Sequence, residues 1–148
     1  MEFSQLEREA WGGFLSAYAF IYRIVEEDLQ SHSQITHVEF EILLRLSWIE
    51  NQRMRIQDLA AQSLLTRSGV SRAISRLEEA GLVAREEASE DRRGAYAVLT
   101  KEGAKRFQNA IQPHVAFVKE NFLNLFSEQE LKQMAKFWKR LQESQNSG

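Results

Sequence analysis

The spacing of apolar residues changes at Gly81, and this change constrains the fold more than any other feature of the chain. Before Gly81 apolar residues recur every three or four positions, which predicts helices over 4–30, from Thr36, over 56–62 and over 67–80. After Gly81, short runs at 82–85 and 95–99 predict two β-strands. Helical periods return from Thr100 and Ser127. The chain is therefore expected to be mainly α with a small β-hairpin, an α+β fold.

Local signals refine these boundaries. Residues 36–39 and 127–130 have the Ser/Thr-x-x-Glu pattern of a capping box, which predicts a helix start at each. The polar residues 31–34 are expected to end the first helix, and 51–55 to form a polar connection. Pro113 falls inside a long helical period, so we expect a kink or a break there.

The order of elements predicts a winged helix-turn-helix. A short helix, a tight turn at 63–66 and a second helix are followed directly by the hairpin. We place this domain at 36–100, with a recognition helix at 67–80 and a wing at 82–99. The flanking segments 1–35 and 101–148 carry wide apolar stripes with large aromatic residues, which predicts helices that pair two copies of the chain.

The recognition helix is expected to present a small, basic face. Residues 66–76 hold three arginines and no acid, although the chain as a whole has a formal net charge of −2. Short serine side chains allow the backbone to approach DNA, and arginines reach phosphates or guanine edges. The predicted contacts on this helix are Thr66, Arg67, Ser68, Ser71, Arg72 and Arg76.

The wing carries Asp91, Arg92 and Arg93 at its predicted tip. An arginine at a hairpin tip can enter a narrow A·T-rich minor groove, and Asp91 can hold an arginine in position. Taken alone, this run also fits a solvated charged loop, because Glu86, Glu87 and Glu90 lie nearby.

Several motifs together resemble the MarR family of bacterial transcription regulators. They are Asp58-Leu59-Ala60, Thr66-Arg67-Ser68-Gly69-Val70-Ser71-Arg72, Arg76-Leu77-Glu78-Glu79-Ala80-Gly81-Leu82-Val83, Asp91-Arg92-Arg93 and Leu99-Thr100-Lys101-Glu102-Gly103. The resemblance implies a homodimer with interlocking N- and C-terminal helices that binds a pseudo-palindromic operator in double-stranded DNA. It implies that Ser68, Ser71 and Arg72 contact the major groove. It also implies that Arg93 enters the minor groove and that Arg92 lies close to the backbone.

The same resemblance implies a cytoplasmic bacterial protein, which we expect to be a repressor released by a small, often phenolic, aromatic effector. Other members of the family sense oxidants through cysteine, and this chain has none. The absence of cysteine also excludes disulfides and thiol catalysis.

Other classes of function fit less well. No nucleotide-binding or nucleophile motif occurs, so we expect neither an enzyme nor a cofactor. No apolar run is long enough for a membrane span. His37 and Glu41 are spaced as a metal pair would be, but capping is the simpler role. The main alternative is a protein–protein adaptor, in which Arg72 and Arg93 bind an acidic protein; salt-dependent retention on random DNA separates the two.

Overall fold

The computed structural model describes residues 2–62, 67–89 and 94–146. These described residues form six α-helices, three β-strands and one 3-10 turn. In chain order they are α1 (Gln5–Ser33), α2 (His37–Ser47), β1 (Arg53–Arg55), α3 (Ile56–Gln62), α4 (Arg67–Glu79), β2 (Val83–Glu87), β3 (Ala95–Leu99), α5 (Lys101–Asn121), the 3-10 turn (Leu123–Leu125) and α6 (Glu128–Asn146). The mainly helical winged-helix fold expected from the sequence is confirmed.

The sheet has one strand more than expected. Its order is β1-β3-β2, and both pairs are antiparallel. The expectation of a polar connection over 51–55 was wrong for Arg53–Arg55, which pairs with β3 from Arg53 opposite Val98 to Arg55 opposite Tyr96. Because this three-residue strand is stabilised by a partner more than 40 positions away along the chain, its own sequence carries little signal.

The chain divides into two compact units, residues 1–114 and 115–148. In the first unit the core lies between α2, α3, α4 and the sheet. Its most deeply buried side chains include Leu43, Leu46, Leu59, Val70, Ile74 and Ala97, all fully inaccessible to solvent. The C-terminal part of α1 adds Val25 and Leu29, and α5 adds Phe107, whose ring lies 5.5 Å from that of Phe40.

The capping signals were correct at both predicted places. Thr36 caps α2, and Ser127 and Glu130 bond reciprocally at the start of α6. The helix α1 ends at Ser33, three residues later than expected, because Gln34 adopts a left-handed conformation with φ of 55° and donates its N–H to the Gln30 carbonyl.

The helix α5 runs through Pro113 without the expected break. A proline at this position removes the bond from its own nitrogen to the carbonyl of Asn109. Both Pro113 and Asn109 are exposed, so water can take the place of the missing partner. The loss therefore falls on the side of the helix where it costs least.

Much apolar surface in the first unit is exposed. Along α1, Trp11, Phe14 and Tyr18 follow one another at helical spacing with ring centres 6.0 and 6.4 Å apart. The exposed apolar side chains of this segment are Phe3, Leu6, Trp11, Phe14, Leu15, Tyr18 and Phe20. In the second unit, considered by itself, α6 exposes Phe137, Trp138 and Leu141. None of the described helices is both long and apolar enough to cross a membrane.

One hydroxyl connects the end of α4 to the start of α5. The Thr100 hydroxyl donates to the Gly81 carbonyl at 2.7 Å and accepts the Gly103 N–H at 3.0 Å. Gly81 has a φ of 73°, the left-handed conformation expected of a residue that ends a helix. A Cβ added at Gly103 would overlap the Leu82 carbonyl oxygen and press on the Leu99 side chain.

Replacement of Gly103 by alanine is therefore expected to destabilise the protein by about 1–3 kcal/mol, the usual cost of overpacking a tight contact. The clash is with backbone, which cannot rotate away as a side chain can. Urea unfolding measures the effect, with Gln108→Ala as a control at an exposed position of the same helix. Equal stability of Gly103→Ala and the control would contradict this account of the contact.

Candidate nucleic-acid interface

The helix α4 has two chemically different sides. The buried side packs against the core and has at most 1% of each side chain exposed; it consists of Val70, Ala73, Ile74 and Leu77. The opposite side is exposed and carries Ser68, Ser71 and Arg72. No acidic residue lies in the first turn of α4. The helix therefore presents short polar side chains and an arginine on a rigid support, as insertion into a major groove requires.

The predicted contact residues divide into two groups. The structure places Ser68, Ser71, Arg72 and Arg76 on α4 and begins that helix at Arg67, whose side chain is not among those described. The remaining four predicted residues, Thr66, Asp91, Arg92 and Arg93, lie outside the described residues. The described surface of α4 thus carries four of the six contacts predicted for the recognition helix.

Arg76 forms an ion pair that the sequence analysis missed. Its Nε donates to Oε1 of Glu39 at 2.7 Å, and the Glu39 side chain is only 9% exposed. The other carboxylate oxygen, Oε2, accepts the Thr36 N–H at 2.9 Å and so completes the capping box of α2. One buried carboxylate therefore both caps α2 and holds the flank of α4. The sequence predicted the capping box, but it did not predict that Glu39 pairs with Arg76, 37 positions later.

Replacement of Arg76 by alanine is expected to cost about 1–2 kcal/mol of folding stability. A bond to a charged group contributes about 1.5–3 kcal/mol, and we reduce this because the Arg76 side chain is 51% exposed. The Glu39 carboxylate would also be left buried without its counter-ion. Urea unfolding of Arg76→Ala, Glu39→Gln and the double variant should give a coupling energy of at least about 0.5 kcal/mol.

Arg23 offers the matched control for this measurement. It pairs with Glu27 at 3.2 Å, but both side chains are at least 60% exposed, so Arg23→Ala is expected to change stability by less than about 0.5 kcal/mol. If Arg76→Ala and Arg23→Ala had the same effect, or if the Glu39 and Arg76 effects were additive, the pair would not fix α4.

A cleft lies between α3, α4 and the base of the hairpin, and its described lining includes Ile56, Gln57 and Ala60 of α3. It has a volume of about 350 Å³. Ser71 lines it from α4, Arg85 and Gly94 line it from the hairpin side, and Arg55 lies at the junction of β1 and α3. The sequence analysis did not single out Arg55 or Arg85. The signal that could have found them is their basic charge in segments that flank the recognition helix.

Each cleft arginine is already oriented by a neighbour. The Arg85 Nε lies 3.3 Å from Oε2 of Glu78, and both side chains are more than one third exposed. The Arg55 guanidinium lies 5.3 Å from the centre of the Tyr96 ring, within the range of a cation–π contact. Arg53 lies 4.0 Å over the same ring and pairs with Glu86 at 3.6 Å, but it does not line the cleft.

His37, the histidine considered for metal binding, contacts two residues of α1. The backbone N–H of His37 donates to Oε2 of Glu26 at 2.7 Å, and the His37 ring meets the Tyr22 ring edge-on at 5.2 Å. Across the described ranges, no three His, Asp or Glu side chains come together as a metal-binding group.

Comparison with known proteins gives the family. The family model described as "MarR family" matches residues 35–94. Two solved structures from Streptomyces coelicolor are similar over nearly the whole chain. The MarR family regulator AbsC is 34% identical, with a TM-score of 0.91, and the match covers 100% of this chain and 99% of AbsC. The regulator Sco3205, solved in complex with DNA, is 26% identical, with a TM-score of 0.92 and coverage of 97% and 91%.

A curated relative extends the comparison. The transcriptional regulator FarR of Neisseria gonorrhoeae is 37% identical over 78 residues, which are 53% of this chain and 52% of FarR. The matched region thus spans about half of that relative's length. These relatives are transcriptional regulators and not enzymes. With a matching winged-helix domain and a full-length relative above 30% identity, the chain belongs to the MarR family of DNA-binding transcriptional regulators.

Proposed function

We propose that this regulator is a cytoplasmic bacterial repressor that binds a pseudo-palindromic operator as a homodimer. The observation that carries the proposal is the exposed face of α4, where Ser68, Ser71 and Arg72 stand opposite a fully buried side. In this proposal Ser68, Ser71 and Arg72 contact base edges or phosphates in the major groove.

The remaining predicted contacts belong to the proposal as well. Thr66 and Arg67 would lie at the start of the recognition helix, near the DNA backbone. Arg93 would enter the minor groove with Asp91 holding it, and Arg92 would lie at the backbone. Arg76 is proposed as a phosphate contact through its terminal nitrogens, because Glu39 holds its Nε and half of the side chain is exposed.

The dimer is proposed from the apolar surface of the segments 1–35 and 101–148. In one copy of the chain α1 exposes a continuous series of aromatic side chains, and α6 exposes Phe137, Trp138 and Leu141. Apolar patches of this kind on a water-soluble regulator are typical of protein interfaces. A two-fold dimer would cover them and would space two recognition helices, carried by residues 36–100, by about one DNA turn, roughly 34 Å.

The decisive experiment selects bound fragments from a genomic DNA library with the purified full-length chain. We expect enrichment of two-fold related half-sites whose centres are about 10 base pairs apart. Affinity should fall steeply as salt rises, because phosphate contacts release counterions. Binding without any sequence enrichment, or no binding even at about 50 mM salt, would contradict the proposal.

The effector is proposed from the family alone. Repeating the selection with a panel of small phenolic compounds tests it, since a ligand that binds the DNA-free form better lowers operator occupancy by its differential affinity. Reporter transcription measured with and without the chain separates repression from activation. A rise in transcription when the chain is present would show that it is an activator and not a repressor.

A further inference from the structure

All three histidines of the chain lie next to the C-terminal half of α1, and the proposed function uses none of them. His32 pairs there with Asp28, with its Nδ1 3.0 Å from Oδ1. His37, at the start of α2, contacts the Tyr22 ring edge-on. His114, on α5, is close enough to Asp28 and His37 for their charges to act on it. The three side chains therefore belong to one cluster of titratable groups in the first unit.

His114 is half-buried and packs against an apolar part of this unit. Its ring centre lies 4.4 Å from that of Phe40, which is 3% exposed and lies 5.5 Å from the Phe107 ring. The His114 Nδ1 is buried and has no hydrogen-bond partner among the residues that the structure describes. An imidazolium carries an N–H on both ring nitrogens, whereas a neutral imidazole carries only one. Protonation would therefore leave a charged N–H buried without a described acceptor, which is unfavourable.

The surrounding groups favour the neutral form of His114. Burial lowers the pKa of His114 below its ordinary value of 6.5, and His37 of α2 lowers this pKa further, whereas Asp28 of α1 raises it. Glu26 of α1 accepts the backbone N–H of His37, and Glu41 lies one helical turn after His37 on α2. Both carboxylates are thus placed beside His37, and the charges that act on His114 itself are those of His37 and Asp28.

A short series of contacts connects His114 to the recognition helix. Phe40, which contacts the His114 ring, directly follows Glu39 near the start of α2. Oε1 of Glu39 accepts the Nε–H of Arg76 on α4 at 2.7 Å. Movement of the His114 ring away from Phe40 would therefore disturb the part of α2 that holds the flank of α4.

We propose that His114 is an acid sensor: when it binds a proton, its ring leaves Phe40 and α4 binds the operator less tightly. The inference rests on the proposed function, because its readout is operator binding. The proton acts here as an effector that binds the DNA-free form better than the DNA-bound form, and it lowers operator affinity by that difference.

The same proton affects folding stability. Because the pKa of His114 is lowered in the folded chain, its stabilising contribution is complete above pH 6.5. It is lost as the pH falls from 6.5 toward the lowered pKa, since the unfolded chain then binds the proton more readily. Mild acid should therefore weaken the fold and operator binding together.

The test measures operator affinity of the full-length chain at constant ionic strength from about pH 7.5 to about pH 5.5, the range in which histidine titrates. The wild type is expected to lose about tenfold more affinity than His114→Gln, because a difference of one pKa unit between free and bound chain corresponds to a factor of ten. His32→Gln is the matched control. Its side chain is 66% exposed, so this variant should lose affinity as the wild type does.

His37 provides a second arm in which His114 remains in place. His37→Gln removes the like charge but keeps the backbone N–H that bonds to Glu26. The affinity of this variant should therefore begin to fall at a higher pH than that of the wild type. A fall at the same or a lower pH would show that the two histidines are not coupled as proposed.

The outcomes separate this inference from the proposed function. If the wild type binds no operator at about pH 7.5, above the ordinary histidine range, the proposed function fails. Urea unfolding over the same pH range then tests the sensor, and equal losses of stability in the wild type and His114→Gln would overturn it. If the wild type binds but both chains lose equal affinity in acid, the sensor is wrong and the function stands. A His114 ring proton whose NMR signal titrates at or above pH 6.5 would also overturn it.

Discussion

Removal of residues 127–148 is expected to leave a monomer that no longer distinguishes its operator from random DNA. This segment contains α6, whose apolar residues Phe137 and Leu141 are about half exposed in one copy of the chain. If they form part of the dimer interface, their removal takes away apolar area that drives association. A monomer reads one half-site instead of two, so we expect operator affinity to fall at least about a thousandfold, toward non-specific binding. Sedimentation equilibrium and operator titration measure the two losses.

A point variant tests the same interface without shortening the chain. Leu141→Glu places a charge on the apolar side of α6 and should weaken the dimer and operator binding together. Lys139→Ala is the control, because that side chain is 75% exposed and forms only an exposed pair with Glu143 at 3.7 Å. A truncated chain that still sediments as a dimer would show that α6 is dispensable for association.

Replacement of Arg72 by alanine is expected to cost about 1–3 kcal/mol of operator binding, or roughly 5- to 150-fold in affinity, for each half-site. Arg72 stands on the exposed face of α4, and Ala73 and Ile74 beside it in sequence are fully buried, so its position is fixed by the core. The free energy of unfolding of Arg72→Ala should remain within about 0.5 kcal/mol of the wild-type value. Fluorescence anisotropy with operator and random duplexes measures the loss.

Arg72→Lys then separates the two kinds of contact. Lysine keeps the charge but not the planar pair of donors, so it should rescue a phosphate contact and fail to rescue a guanine contact. Lys105→Ala, at an exposed position of α5, is the control for a lost positive charge elsewhere. Wild-type operator affinity in Arg72→Ala would remove this residue from the interface.

Local signals in the sequence predicted much of the fold. The capping boxes at Thr36 and Ser127 were correct because their bonds join residues three positions apart. The left-handed conformation of Gly81 was also predicted correctly, because a glycine directly after a helical period commonly ends the helix in this conformation. The winged-helix order followed from the change in apolar spacing.

Features that depend on distant parts of the chain were missed. The strand β1 exists because β3 pairs with it, and the Glu39–Arg76 ion pair joins two helices 37 positions apart. The sequence marked Arg76 as a basic residue on an exposed helix but could not show that a buried carboxylate holds it. The cleft that Arg55 and Arg85 line is likewise formed only when distant segments of the chain fold together.

The Thr100 hydroxyl has a consequence for how the protein can evolve. The hydroxyl bonds both to Gly81, just after α4, and to Gly103, in the first turn of α5. A residue added beside Thr100 would therefore move the hydroxyl away from one of these two partners. In the proposed dimer, an insertion next to Thr100 would change the orientation of α4 relative to the start of α5, and with it the spacing of the two copies of α4. Relatives that read operators of the same geometry should therefore keep this joint at constant length and place their insertions elsewhere.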